Sequence, residues 1–227
     1  MITQIGSLPY NNVNEAIDYS LRHNIPFLPE LPSRGETMLK YIKNPGLLCC
    51  LAEFRSAVKG YERVKVQCVG PVTLIQSGYG RDEAITRAYE HISAILESLD
   101  VKEVILFLDE PALGQFGGDF REMWEPLFSS FKVTSGVHIC GGMDWDKMFC
   151  SDIDIISFDA SKYDITRYPN YRNKKRIAWG ISEIEDIKDF WRGDLLTPPC
   201  GLGLKTQEEC QKTLEMLLGV KADLSQS

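Results

Sequence analysis

Short apolar, β-branched runs alternate with longer amphipathic segments along this chain. Eight runs have the length and composition of strands: Ile2–Leu8, Ile25–Leu31, Val64–Val69, Val101–Leu108, Lys132–Ile139, Ile153–Phe158, Arg176–Ile181 and Asp194–Thr197. A polar or Gly/Pro turn follows most of them, and then a helical pattern. Strands that alternate with helices in this way are typical of parallel β/α units.

The helical pattern is clearest in Arg81–Leu99 and Thr206–Leu218, where apolar residues recur near the 3.6-residue period. Weaker helical patterns occupy four further segments: Asn14–Arg22, Glu36–Lys59, Phe120–Phe128 and Ile184–Phe190. The link Ser161–Lys175 shows little periodicity, and we predict an irregular loop there in place of a helix.

Eight such units predict an α/β fold, a compact (β/α)8 TIM barrel that spans residues 1–227 as a single domain. The alternative is a doubly wound open sheet. That fold usually carries a Gly-rich phosphate loop after its first strand, whereas this chain has Gly6-Ser7-Leu8-Pro9 at that point. The barrel is therefore the favoured prediction.

Composition and charge narrow the functional classes. The chain is 44% hydrophobic and 25% charged, which is typical of a globular protein and not of a disordered one. Its net charge of −7 argues against a nucleic-acid partner. No apolar run approaches the roughly 18 residues that span a bilayer, and the first residues show no signal-peptide pattern. We expect a cytoplasmic protein with no membrane partner.

Seven cysteines are present, at irregular spacing. With an odd count and no export signal, a disulfide framework is not expected. The cysteines are either small buried hydrophobes or, for one or two of them, metal ligands. Composition does not decide between these interpretations.

The most informative chemistry lies where the predicted strands end, because barrel enzymes place their active sites there. His138 and Cys140 point to the same side of the fifth run, since strand side chains alternate with period two. Cys200 follows the eighth run, and the three together make a Cys2His set that suits zinc with one position open. The alternative is a hydrogen-bonded histidine beside an ordinary buried cysteine.

Three carboxylates follow other runs. Asp159 is a candidate fourth zinc ligand, a hydrogen-bond acceptor for the His138 ring, or a helix N-cap. Asp109, in Asp109-Glu110-Pro111, would either hold a substrate ammonium group or start a helix beside a proline. Glu30 is a second candidate for the ammonium site.

Five short motifs in order give the chain a family resemblance. They are Ile5-Gly6-Ser7-Leu8-Pro9, Gly70-Pro71-Val72-Thr73, Leu108–Leu113, His138-x-Cys140, and Cys200-Gly201 with Leu204-Lys205-Thr206 beyond it. On these motifs the chain resembles the C-terminal catalytic barrel of cobalamin-independent methionine synthase, within the uroporphyrinogen-decarboxylase-like barrels that include zinc methyltransferases. The resemblance covers nearly the whole chain.

The resemblance implies zinc-dependent methyl transfer to a thiol such as homocysteine. His138, Cys140 and Cys200 would hold the zinc, Asp109 would bind the amino group of the acceptor, and Ser7 would help hold its carboxylate. Two further classes stay open: a non-catalytic barrel that binds zinc, a thiol or a corrinoid protein, and a metal-free decarboxylase of the uroporphyrinogen-decarboxylase type.

The chain departs from the family pattern in ways that bear on the methyl donor. The family has a glutamate where this chain has Asp159, and a proton-donating histidine where this chain has Trp179–Glu185. The family's folate-binding N-terminal half has no counterpart in these residues. Methyl-folate needs general-acid help to leave, and a methyl-corrinoid does not. We therefore expect a methyl-corrinoid donor, free or carried by a partner corrinoid protein.

Overall fold

A curled, fully parallel sheet forms the centre of the protein. The computed structural model describes residues 1–225. Within these residues the sheet has six strands in chain order: β1 Arg63–Val69, β2 Glu103–Asp109, β3 Thr134–Ile139, β4 Ile155–Asp159, β5 Arg176–Gly180 and β6 Leu195–Thr197. Each strand pairs in parallel with the next, so all of their carboxyl ends lie along one edge.

Helices cover the strands and connect them. They are α1 Val13–Leu21, α2 Met38–Tyr41, α3 Leu51–Ala57, α4 Pro71–Gln76, α5 Arg81–Ser98, α6 Arg121–Ser129, α7 Trp145–Phe149 and α8 Gln207–Leu224. Short 3-10 turns lie at Pro32–Arg34, Leu113–Gln115, Ile165–Arg167 and Ile184–Asp186. Among the described helices, none combines the length and the apolar composition that crossing a bilayer requires.

The prediction of a closed eight-stranded TIM barrel is wrong. The runs Ile2–Leu8 and Ile25–Leu31 form no strand in the described chain, so the sheet is an open half-barrel. Pro26 and Pro29 provide a physical reason for the run Ile25–Leu31, because each lacks the N–H that a continuous ladder needs. The two runs make single parallel bridges instead: Ile2 with Leu196, Ser7 with Glu30, and Phe27 with Lys65.

The other six predicted strands are confirmed as β1–β6, and the two clearest helices as α5 and α8. The irregular link 161–175 is confirmed too, with one 3-10 turn inside it. A single helix over Glu36–Lys59 is wrong, because the chain turns at Pro45-Gly46 between α2 and α3, and Gly46 has a φ of +72°. Ile184–Phe190 forms a 3-10 turn and no α-helix.

Two apolar clusters follow from strand alternation. The larger one includes the buried faces of the helices and the strand side chains that meet them. The smaller one lies on the opposite side of the sheet and comprises Ile5, Ile25, Ile105, Phe107, Ile155, Ala178 and Leu195. Asp109 and Ser157 come two residues after Phe107 and Ile155, so they lie on this same face at the carboxyl end.

Candidate active site

Three side chains with metal-binding atoms meet at the carboxyl edge of the sheet. The ligand atoms of His138, Cys140 and Cys200 all lie within 4.8 Å of one another. His138 Nε2 is 3.0 Å from Cys140 Sγ, and the two sulfurs are 3.4 Å apart, with both cysteines free. One imidazole and two thiols form a donor set that fits zinc. The fold therefore brings together the three residues that the sequence predicted as ligands.

Ser157 orients the histidine. His138 on β3 is the register partner of Ser157 on β4, and its Nδ1 is 3.0 Å from the Ser157 hydroxyl. This contact turns Nε2 toward Cys140, which is the arrangement that outer partners of metal-bound histidines provide. Sequence reasoning missed Ser157, because only the register between the two strands identifies it.

The two thiols differ in acidity. Hydrogen bonds from Cys140 and His138 lower the pKa of Cys200, whereas the hydrogen bond to Cys200 and burial raise the pKa of Cys140. The thiolate is the form of cysteine that binds metals. The lowered pKa therefore favours the thiolate form of Cys200.

A cavity of about 300 Å³ opens beside the three ligand residues. Its walls include the predicted acceptor-binding residues Ser7, Glu30 and Asp109. Met38, Pro111 and Leu204 give the same cavity apolar surface, and the Leu204 side chain is fully exposed. Six of the seven predicted site residues thus share one cavity, although they come from positions 7 to 200.

Asp109 has a buried oxygen with no partner. Its side chain is 4% exposed, and Oδ1 accepts no hydrogen bond from the described residues. Burial raises the pKa of Asp109, and the nearby charges of Lys65 and His138 oppose that rise. An unsatisfied buried carboxylate oxygen is costly, so a cationic donor bound in the cavity would stabilise it.

Glu30 lies across the same cavity and is also buried. Its Oε1 accepts a hydrogen bond from Gln67 Nε2 at 3.2 Å. Burial, and to a lesser degree the charge of Asp109, raise the pKa of Glu30 to about 8. At neutral pH the Glu30 carboxyl group is therefore mostly protonated, so Glu30 and Asp109 together carry fewer than two negative charges.

The position of Ser7 depends on a glycine. A Cβ on Gly201 would lie 2.1 Å from Ser7 Oγ, so no larger residue fits there without movement. Leu202 N donates to Ser7 O at 2.9 Å, which holds the two segments together. The Ser7 hydroxyl consequently lies against the residue that follows Cys200.

Asp159 does not join the three ligand residues. Its Oδ1 accepts from the backbone N and the hydroxyl of Ser161 at 3.2 and 2.6 Å, and its Oδ2 pairs with Lys162 at 2.7 Å. These contacts cap a turn, and no helix begins at Asp159, so the structure does not show the helix N-cap that was one of the three interpretations. The His138 ring contacts Ser157 and not Asp159.

Glu110, the neighbour of Asp109, has a structural role. Its carboxylate accepts from Val72 N, Thr73 N, Thr73 Oγ1 and Trp124 Nε1 at 2.7–3.0 Å. A Cβ on Gly70 would lie 2.1 Å from this carboxylate. The Gly-Pro-Val-Thr and Asp-Glu-Pro motifs therefore interlock, with Glu110 bound to the first turn of α4.

Comparison with known proteins supports the fold. No protein-family model matches the chain, and no curated protein matches it. Among solved structures, the chain is similar to a Listeria monocytogenes protein provisionally assigned as a vitamin-B12-independent methionine synthase. The identity is 18% and the TM-score 0.51, over 82% of this chain and 69% of that protein. At this identity the likeness shows a shared fold, and the chemistry rests on the side chains described above.

Proposed function

We propose that this protein is a zinc-dependent methyltransferase that moves a methyl group to the thiol of a homocysteine-like acceptor. The observation that carries the proposal is the meeting of two sites in one cavity. His138, Cys140 and Cys200 form a donor set that fits zinc, and the buried carboxyl groups of Asp109 and Glu30, which suit an ammonium group, line the same cavity.

His138, Cys140 and Cys200 would hold the zinc through Nε2 and two Sγ atoms. When bound, zinc would lower the pKa of the acceptor thiol, so that the sulfur is a nucleophilic thiolate at neutral pH. Ser157 keeps Nε2 of His138 directed at the ligand set. The residues present therefore fit the metal that the resemblance implies.

The chain's own residues orient the acceptor. Asp109 Oδ1 would accept a hydrogen bond from the acceptor ammonium, the ionised form of Glu30 would accept a second, and the Ser7 hydroxyl would lie beside the acceptor near Cys200. A volume of about 300 Å³ accommodates an amino acid of this size. Fixing the thiol beside its methyl donor supplies much of the rate enhancement in a bimolecular transfer.

The proposed donor is a methyl-corrinoid, free or on a partner protein. Methyl-folate leaves as an amine and needs a proton, for which general-acid catalysis is typically worth about 10²–10⁴ in rate. The segment after β5, Ile181–Glu185, has no histidine to give that proton. A corrinoid leaves with the bonding electron pair on cobalt and needs no proton.

Metal analysis combined with a methyl-transfer assay tests the proposal. We expect one zinc per chain, and S-methylation of homocysteine when the zinc-loaded protein receives methylcobalamin. Turnover with methyl-tetrahydrofolate and none with methylcobalamin would refute the donor assignment. Stoichiometric zinc without thiol methylation from either donor would favour the non-catalytic alternative.

A further inference from the structure

A buried lysine lies behind the acceptor carboxylates and has no role in the function proposed above. Lys65 on β1 is fully buried, and its Nζ lies 4.6 Å from the centre of the Phe107 ring. Its charge interacts with both Asp109 and Glu30. Burying an ammonium group costs free energy unless it is paired, so a specific partner is expected.

The partner is Gln67, two residues along the same strand. Lys65 Nζ donates to Gln67 Oε1 at 2.9 Å. The other end of that amide, Nε2, donates to Glu30 Oε1 at 3.2 Å and to Leu28 O at 2.8 Å. Lys65, Gln67 and Glu30 therefore form a chain of hydrogen bonds that ends at the cavity.

The direction of this chain follows from the chemistry of its first member. A lysine ammonium has three donors and no acceptor, so it fixes the oxygen of the Gln67 amide on its own side. The amide nitrogen must then face Glu30, which receives a hydrogen bond. Without Lys65, the Gln67 oxygen loses its buried donor, and only the Nε2 contacts to Leu28 O and Glu30 Oε1 hold the orientation of the amide.

We propose that Lys65 is a positioning residue that sets the acceptor site to select an ammonium group, by holding the Gln67 amide with its donor toward Glu30. This inference rests on the proposed function for its ligand. Because Glu30 Oε1 accepts from Gln67, the carboxyl group is held as an acceptor surface beside Asp109. The inner end of the cavity is thus oriented before a ligand enters.

Binding measurements on the zinc-loaded protein test the inference without a methyl donor. Isothermal titration calorimetry would compare homocysteine with 4-mercaptobutyrate, which has the same thiol and carboxylate and no ammonium. In the wild type we expect homocysteine to bind more tightly. In Lys65→Met the preference should fall about tenfold or more, the range of one hydrogen bond to a charged group, while 4-mercaptobutyrate binding stays the same.

A second variant and a matched control separate positioning from general damage. Gln67→Met should lose the preference to a similar extent, and the double variant should lose little more. Lys175→Met also removes a lysine that is 8% exposed, whose Nζ donates to Ser151 O and Ile153 O, and it should keep the preference. Unchanged preference in Lys65→Met or in Gln67→Met overturns the inference. Wild-type protein that binds neither thiol would refute the proposed acceptor class, and with it this inference.

Discussion

The two halves of the candidate site are built in different ways. His138 and Ser157 stand on neighbouring strands whose ladder runs over several residues. Ser7 and Glu30 lie on segments that single bridges hold in place. A ladder distributes the constraint over many hydrogen bonds, whereas each single bridge depends on local contacts such as Gly201 against Ser7. The sheet therefore fixes His138 on the metal side and also its register partner Asp109 on the acceptor side. Cys140 and Cys200 follow strand ends, and Ser7 and Glu30 are held by individual contacts.

The largest expected effect is on the metal side. Cys200→Ser removes one of three converging ligand atoms, and we expect zinc affinity to fall by more than roughly 100-fold, beyond the cost of losing an outer-shell partner. Competition with a chromogenic chelator measures it. Cys150→Ser, at another exposed free cysteine, is the matched control and should keep its zinc. Full zinc retention in Cys200→Ser would contradict the assignment.

Glu110→Ala tests whether the neighbour of Asp109 is structural. The change leaves the N–H groups of Val72, Thr73 and Trp124 without their acceptor. We therefore expect the free energy of unfolding to fall by about 3 kcal/mol or more. Urea denaturation checks it. Glu122→Ala, at an exposed ion pair, should cost less than about 1 kcal/mol. A loss in Glu110→Ala as small as that in Glu122→Ala would show that the four hydrogen bonds to Glu110 contribute little to the free energy of unfolding.

Gly201→Ala acts on the acceptor side. Its Cβ would displace the Ser7 hydroxyl, so we expect stability to fall by about 1–3 kcal/mol and homocysteine affinity to fall with it, while zinc stays bound. Thermal unfolding and calorimetry measure the two effects. Gly80→Ala is the control, because a Cβ there meets nothing within 4 Å. Loss of zinc in Gly201→Ala would show that the two halves are not separable.

Ser157→Ala removes the hydrogen bond that orients His138. We expect zinc affinity to fall roughly tenfold, the lower end of the range for such partners. Ser130→Ala, whose hydroxyl donates to Pro126 O on an exposed helix end, should leave zinc affinity unchanged. The same chelator competition compares the two, and equal affinities would remove Ser157 from the site.

The remaining expected effect is a pH dependence of stability caused by Glu30. Its pKa is raised from 4.5 to about 8 by burial, so the folded state holds a proton that the unfolded state releases. Its contribution to stability is full below pH 4.5 and is lost as pH rises to about 8. Between these limits, metal-free wild type should lose stability relative to Glu30→Gln. Parallel pH profiles for the two proteins would contradict the raised pKa.

Local pattern placed His138, Cys140 and Cys200 close enough to be candidates for one site, but it did not predict how the segments that carry Ser7 and Glu30 fold. Period-two alternation placed His138 and Cys140 on one face, and the order of runs placed Cys200 near them. The same reasoning treated Ile25–Leu31 as a strand, although Pro26 and Pro29 interrupt its ladder. Gln67 and Ser157 escaped prediction because hydrogen-bond partners across strands depend on register, which apolar periodicity does not specify.

The pairing of Ser7 with Leu202 has a consequence for the order of events during synthesis. The ribosome adds about 5–20 residues per second, so Ser7 emerges roughly 10–40 s before its partner exists. His138 and Cys140 likewise wait for Cys200. Completion of the His138–Cys140–Cys200 cluster and of the cavity beside it are therefore late steps, which the nascent chain reaches only after β6 and Cys200 have been translated.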